Sequence, residues 1–130
     1  MKKEEYYKQI KNNPLREKTA DFSLRIINLY KYLTDEFNDY VISNQVLRSG
    51  TSVGANVAEA IYAQTKRDFV TKLSISLKEA SETEYWFDLL YRSGYIKEKE
   101  FESLLSDAED IRKMLVSSIK TSKKSINDKK

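Results

Sequence analysis

Three carboxylates, Glu79, Glu82 and Glu84, fall within one short run of the chain, and clustered carboxylates can bind hard metal ions or serve as general acid and base. That chemistry needs other groups. The 130 residues include no cysteine and no histidine, which removes disulfides, thiolate nucleophiles, structural zinc, histidine-based triads and di-metal sites built on Glu-x-x-His. No metal-binding loop and no obvious nucleophile accompanies the carboxylates, so the expectation is no enzyme, no cofactor and no metal. A structural role is preferred, because Glu84 lies in an apolar stripe through Leu73, Leu77, Ala80, Phe87 and Tyr91, and a carboxylate there requires a partner. Arg48 and Asn56 are the candidates for that partner. The preferred pairing is Arg48 with Glu79 or Glu84, and breaking one side of a buried pair would cost about 3 to 5 kcal/mol.

Gly50 and Gly54 stand four apart in a segment that reads as helix, where each costs about 1 kcal/mol relative to alanine. With Ala58 they share one face, and a neighbouring helix backbone can approach closely there. A phosphate-cradling loop is rejected, since it needs Gly-Lys-Ser/Thr after a strand and here Arg48 precedes the glycines.

The net charge of +3 is unevenly spread. Residues 1 to 18 carry six Lys/Arg against three Glu, and residues 120 to 130 carry five Lys against Asp128, so the segment between them is acidic overall. Basic ends suit an anionic partner, although they also serve solubility alone. Electrostatic contacts to RNA or DNA would fall to Lys66, Arg67, Lys72, Lys120, Lys123, Lys124, Lys129 and Lys130. Fifteen aromatics, nine of them tyrosine, are many for a small helical protein. Tyr85 and Trp86 lie off the main apolar stripe, which points to an interface between copies of the chain. Tyr6, Tyr7 and Tyr40 are the aromatics expected to be exposed near charge, a weak signal for stacking on unpaired bases.

Positioning these residues falls to helices. Only three glycines and one proline occur in the chain, too few for an all-β fold. Apolar residues at three- and four-residue spacing predict helices over about 14–38, 43–63, 65–93 and 97–121, which together favour an antiparallel up-down-up-down four-helix bundle. Asn13-Pro14 opens the first, Ser43 is a plausible N-cap of the second, Thr65 caps the third and Gly94 stops it. The domain plan is a basic N-terminal arm over 1–13, the bundle over 14–121, and a lysine-rich disordered tail over 122–130. No segment approaches the ~18 continuous apolar residues of a membrane span, so a soluble, cytoplasmic protein is expected.

The run Leu47-Arg48-Ser49-Gly50-Thr51-Ser52-Val53-Gly54-Ala55-Asn56-Val57-Ala58-Glu59-Ala60, followed by Asp68 to Trp86, resembles the four-helix bundle proteins encoded by intervening sequences in bacterial 23S rRNA genes. These are related to the accessory protein of diversity-generating retroelements. The resemblance covers about residues 18 to 118 and rests on an Arg-Ser-x-x-Ser-x-x-x-Asn-x-x-Glu core; Ala60 stands where many members have glycine. It implies a homopentameric ring and, for the retroelement relatives, a basic surface for nucleic acid and a reverse transcriptase partner. Two function classes remain, a nucleic-acid-binding accessory protein and an oligomeric protein-interaction scaffold that never touches nucleic acid. The acidic body favours the second; the basic ends and the resemblance favour the first, which is preferred.

Overall fold

Asn13 begins the first long helix as its spacing predicts: its side-chain oxygen accepts from the Arg16 amide at 3.0 Å, with Pro14 in the first turn. In the computed structural model, which describes residues 1–128, five helices follow in order: α1 Lys3–Lys11, α2 Pro14–Phe37, α3 Val41–Ala60, α4 Lys66–Arg92 and α5 Glu98–Asp128. The fold is all-α, and among the described residues there is no strand. Five helices replace the expected four. The additional one is α1, within the stretch expected to be an arm; its Glu4 and Glu5 in the first turn and Lys8 and Lys11 in the last complement the helix dipole.

The other boundaries follow from local hydrogen bonds. Asn38 ends α2 in the left-handed region at φ 52°, a conformation its short amide side chain tolerates. Ser43 does not cap α3. Asp39 does so from further upstream, its Oδ1 accepting from the amides of Val41 and Ile42 at 3.1 and 3.3 Å, while Ser43 is buried and donates to the Asp39 carbonyl. Thr65 caps α4 by accepting from the Asp68 amide at 3.0 Å, and Gly94, at φ +88°, turns the chain after it. The fourth predicted helix, now α5, runs on to Asp128 instead of ending at 121. Ile126, on the same face of the helix as Leu115 and Ile119, there lies against Arg67, Val70 and Thr71 of α4, a contact the spacing alone does not show. Lys66 donates there to the Ser125 hydroxyl.

Helix α3 packs against both α2 and α4, α4 packs against α5, α5 closes on α2, and α1 touches α2. Partner positions rise along one helix as they fall along its neighbour. On α3 and α4 the Ser49 and Thr83 hydroxyls meet at 2.9 Å, Ser76 donates to the Val53 carbonyl at 2.8 Å, and Lys72 pairs with Glu59 at 3.3 Å. On α2 and α5, Arg25 reaches Glu100 and Asp107 while Lys18 reaches Asp107 and Asp110. The core between the four long helices holds Phe22, Ile26, Leu33, Leu73, Phe87, Leu104, Ile111 and Leu115, with the Phe22 and Phe87 rings edge to face at 6.3 Å.

The small-residue face of α3 lies against α2. A Cβ at Gly50 would stand 2.7 to 2.9 Å from three side-chain carbons of Ile26, and one at Gly54 would meet Ser23 Oγ at 2.9 Å and the Thr19 carbonyl oxygen at 3.1 Å. Both glycines are buried, and Ala58 is half-buried one turn further on. Because backbone at Thr19 cannot rotate away as a side chain can, Gly54→Leu should lose at least about 1 to 3 kcal/mol. A thermal melt should show the midpoint lowered by several degrees; a variant melting with the wild type would contradict the close approach.

Candidate nucleic-acid interface

Pairing in opposite directions brings the start of α4 and the end of α5 to one end of the molecule, beside the end of α3 and the start of α2. Arg67, Val70 and Thr71 of α4 face Lys123, Ile126 and Asn127 of α5 across a shallow pocket of about 340 Å³. Lys66 binds Ser125 at the same place, and Lys124 is exposed beside it. Lys120 is exposed one turn earlier and lines a groove with Arg112 and Lys113. Lys72 does not contribute free charge, since Glu59 holds it at 3.3 Å. Lys129 and Lys130 lie outside the described residues.

The local electrostatics favour an anion at this end. Lys66 and Arg67 occupy the first turn of α4, where the helix dipole is already positive and acidic side chains would stabilise the helix. Asp68 in the same turn offsets part of that charge, so Lys66 and Arg67 together leave an excess of one positive charge there. At the opposite end, where α2 and α4 finish and α3 and α5 begin, stand Asp35, Glu36, Asp39, Asp88, Glu98, Glu100 and Glu102. Lys31, Arg92, Lys97 and Lys99 stand among these carboxylates, and Glu59, Asp68 and Asp128 lie at the lysine-bearing end, so the two ends differ in balance and neither carries one sign alone.

The carboxylate cluster divides between two helices. Arg48 donates to Glu79 at 3.2 Å and also to Glu82, which in turn accepts from Trp86 Nε1 at 2.9 Å. Glu84 points elsewhere and pairs with Arg112 of α5 at 3.3 Å. Asn56 stays on its own helix, donating to the Ser52 carbonyl at 2.8 Å. Sequence reasoning misses Arg112 and the role of Glu82, although Glu79 and Glu82, three apart, share a face that Glu84 does not. Among the described residues no group of three or more acidic side chains is placed to hold a metal ion. Tyr85 is 55% exposed, its ring edge to face with that of half-buried Trp86 at 5.1 Å.

Half of the Arg48 side chain meets solvent, so the cost expected of a buried pair does not apply. Arg48→Ala should lose about 1 kcal/mol or less. The buried Ser49 and Thr83 contact is the stronger link between α3 and α4, and Thr83→Val, which keeps the shape but strands the Ser49 hydroxyl, should lose about 1 to 3 kcal/mol. Denaturant unfolding of the two variants side by side checks the order; a larger loss at Arg48 would reverse it.

Among the described residues no helix is long and apolar enough to cross a membrane. A family model for the 23S rRNA-intervening sequence protein matches residues 11–117. A solved structure of a protein of unknown function from the S23 ribosomal protein family of Bacteroides thetaiotaomicron is 51% identical, with a TM-score of 0.80, covering 82% of this chain and 98% of that one. No protein of curated function matches.

Proposed function

The chain belongs to the 23S rRNA-intervening sequence protein family, and we propose that it is a non-enzymatic accessory protein that binds nucleic acid through the basic end of an antiparallel up-down-up-down four-helix bundle. The carrying observation is the convergence of Lys66, Arg67, Lys123 and Lys124 from two helices on one pocket-bearing end. Contacts of this kind go to phosphate and position a duplex or strand without reading its sequence. Cytoplasmic RNA or DNA is the partner this reading supplies.

An assembly of copies would serve the same reading. The exposed Tyr85 ring beside Trp86 suits a homo-oligomeric contact, and a ring of five copies would bring five basic ends to one polyanion, raising weak contacts through effective concentration. Light scattering should give a mass several times the 15.2 kDa of one chain, and Tyr85→Glu should reduce it. A monomeric mass at micromolar concentration would overturn the ring. A scaffold that binds only protein shares this assembly, and the charge test separates the two.

Because α5 carries structure through residue 128, deleting its end would disturb packing together with charge; neutralisation is the cleaner test. The triple variant Lys66→Gln, Arg67→Gln, Lys123→Gln should weaken binding and flatten the slope of log affinity against log salt by about 0.7 to 0.9 for each phosphate no longer neutralised. Gel shift at low salt checks it. Wild-type protein that shifts neither single-stranded RNA nor duplex DNA would favour the scaffold.

A further inference from the structure

A second cleft lies close to the basic end, and its lining differs in kind from the lysine-rich pocket. Tyr6, Gln9 and Ile10 of α1 and Asn13 and Arg16 at the start of α2 face Ile61 and Tyr62 after α3, enclosing about 400 Å³, within the usual range for a small-ligand site. Tyr62 is 79% exposed and Tyr6 44% exposed. Two large aromatic rings standing in water at a surface that also offers amides and a guanidinium call for an explanation, since neither ring contributes to the core.

We propose that this cleft takes an unpaired base of a single-stranded nucleic acid, with Tyr62 and Tyr6 as stacking surfaces and Gln9 and Arg16 at the base and phosphate edges. The proposal rests on the nucleic-acid reading above and deepens it by naming the form of nucleic acid. Its ingredients are those of single-strand recognition, in which exposed aromatic rings lie beside cationic groups that track the backbone. Arg16 is already oriented toward the site, its Nη2 donating to the Tyr6 hydroxyl at 3.0 Å. Gln9 has an amide with both a donor and an acceptor, able to meet the polar edge of a base. A duplex keeps its bases stacked on one another and has no face to offer the rings, whereas an unpaired base does.

The nearby charge supplies the rest. The start of α2 and the end of α3 share their end of the molecule with Lys66 and Lys123, so a strand seated in the cleft has its phosphates drawn toward a positive surface. Lysines alone would bind duplex and single strand alike; the tyrosines create the preference.

The experiment measures fluorescence anisotropy of a short labelled oligoadenylate and of an RNA duplex of equal length, with full-length protein. Tyr62→Ala should weaken oligoadenylate binding about tenfold, leave the duplex within twofold, and keep the wild-type melting temperature because the ring is outside the core. Tyr62→Phe should retain the single-strand affinity, as stacking needs the ring and not the hydroxyl. Tyr6→Ala should repeat the selective loss. Unchanged oligoadenylate affinity in both alanine variants, with duplex binding intact, would overturn the cleft and leave the electrostatic reading standing. Equal loss on both probes would assign the tyrosines to general structure and likewise overturn it. Failure of wild-type protein to bind either probe would overturn both readings together.

Discussion

The approach of α3 to α2 at Gly50 and Gly54 is the constraint on which the arrangement depends. No side chain fits at either position without displacing Ile26 or the Thr19 backbone, so the two helices have one depth and one register at which they meet. Helix α3 also carries Ser49 and the Val53 carbonyl toward α4, which transmits that register to the next neighbour. Two buried polar links have direction as well as strength, because a slip along the axis would leave a buried hydroxyl unpaired. Apolar residues such as Phe22, Leu73 and Phe87 then fill a space whose dimensions the close contact has set, and close-packed cores tolerate little change in such dimensions.

From that register follows the placement of charge. Short connections oblige each helix to start where the preceding one stops, so the first turn of α4 and the last turns of α5 meet although Lys66 and Ser125 stand 59 positions apart in the chain. Pairing removes some cations from use: Glu59 holds Lys72, while Asp107 and Asp110 hold Lys18. Lys123 and Lys124 are exposed near the end of α5, and Lys66 and Arg67 stand with Asp68 at the positive pole of their own helix. The field is therefore concentrated where the chain count alone suggests only flexible ends.

Legibility in the sequence tracks how local each interaction is. Asn13-Pro14, Thr65 and Gly94 act within four residues, and the structure places all three as read. Asp39 is harder to see than Ser43, because both are good capping residues and the choice depends on where the chain leaves Asn38 in the left-handed region. The end of α5 escapes a local reading because its apolar content is too low to hold a helix alone; it follows α4, a contact no local window contains. Helical phase decides the carboxylates: Glu79 and Glu82 turn toward α3, and Glu84 turns toward Arg112 on α5. Periodicity also gives no measure of exposure, which is why Arg48 reads as buried although it lies at the rim.

Helix α1 contributes nothing to the core. Nine residues make a helix that is marginal alone in water, α1 buries none of its residues, and its helix contacts are with α2. What holds Tyr6 at the cleft it shares with Tyr62 is therefore modest: one hydrogen bond from Arg16 and half-buried Ile10 in the cleft. A ligand that bridges α1 and Tyr62 adds contacts where the fold has few, so part of its binding energy is spent ordering the wall that it touches. On the proposed reading, phosphate contacts at Lys66 and Lys123 would carry no such penalty, since α4 and α5 pack on the core. On the proposed reading the lysine surface suits capture of any polyanion, and the tyrosine cleft suits discrimination, because only a strand with a free base has a face to lay against the rings.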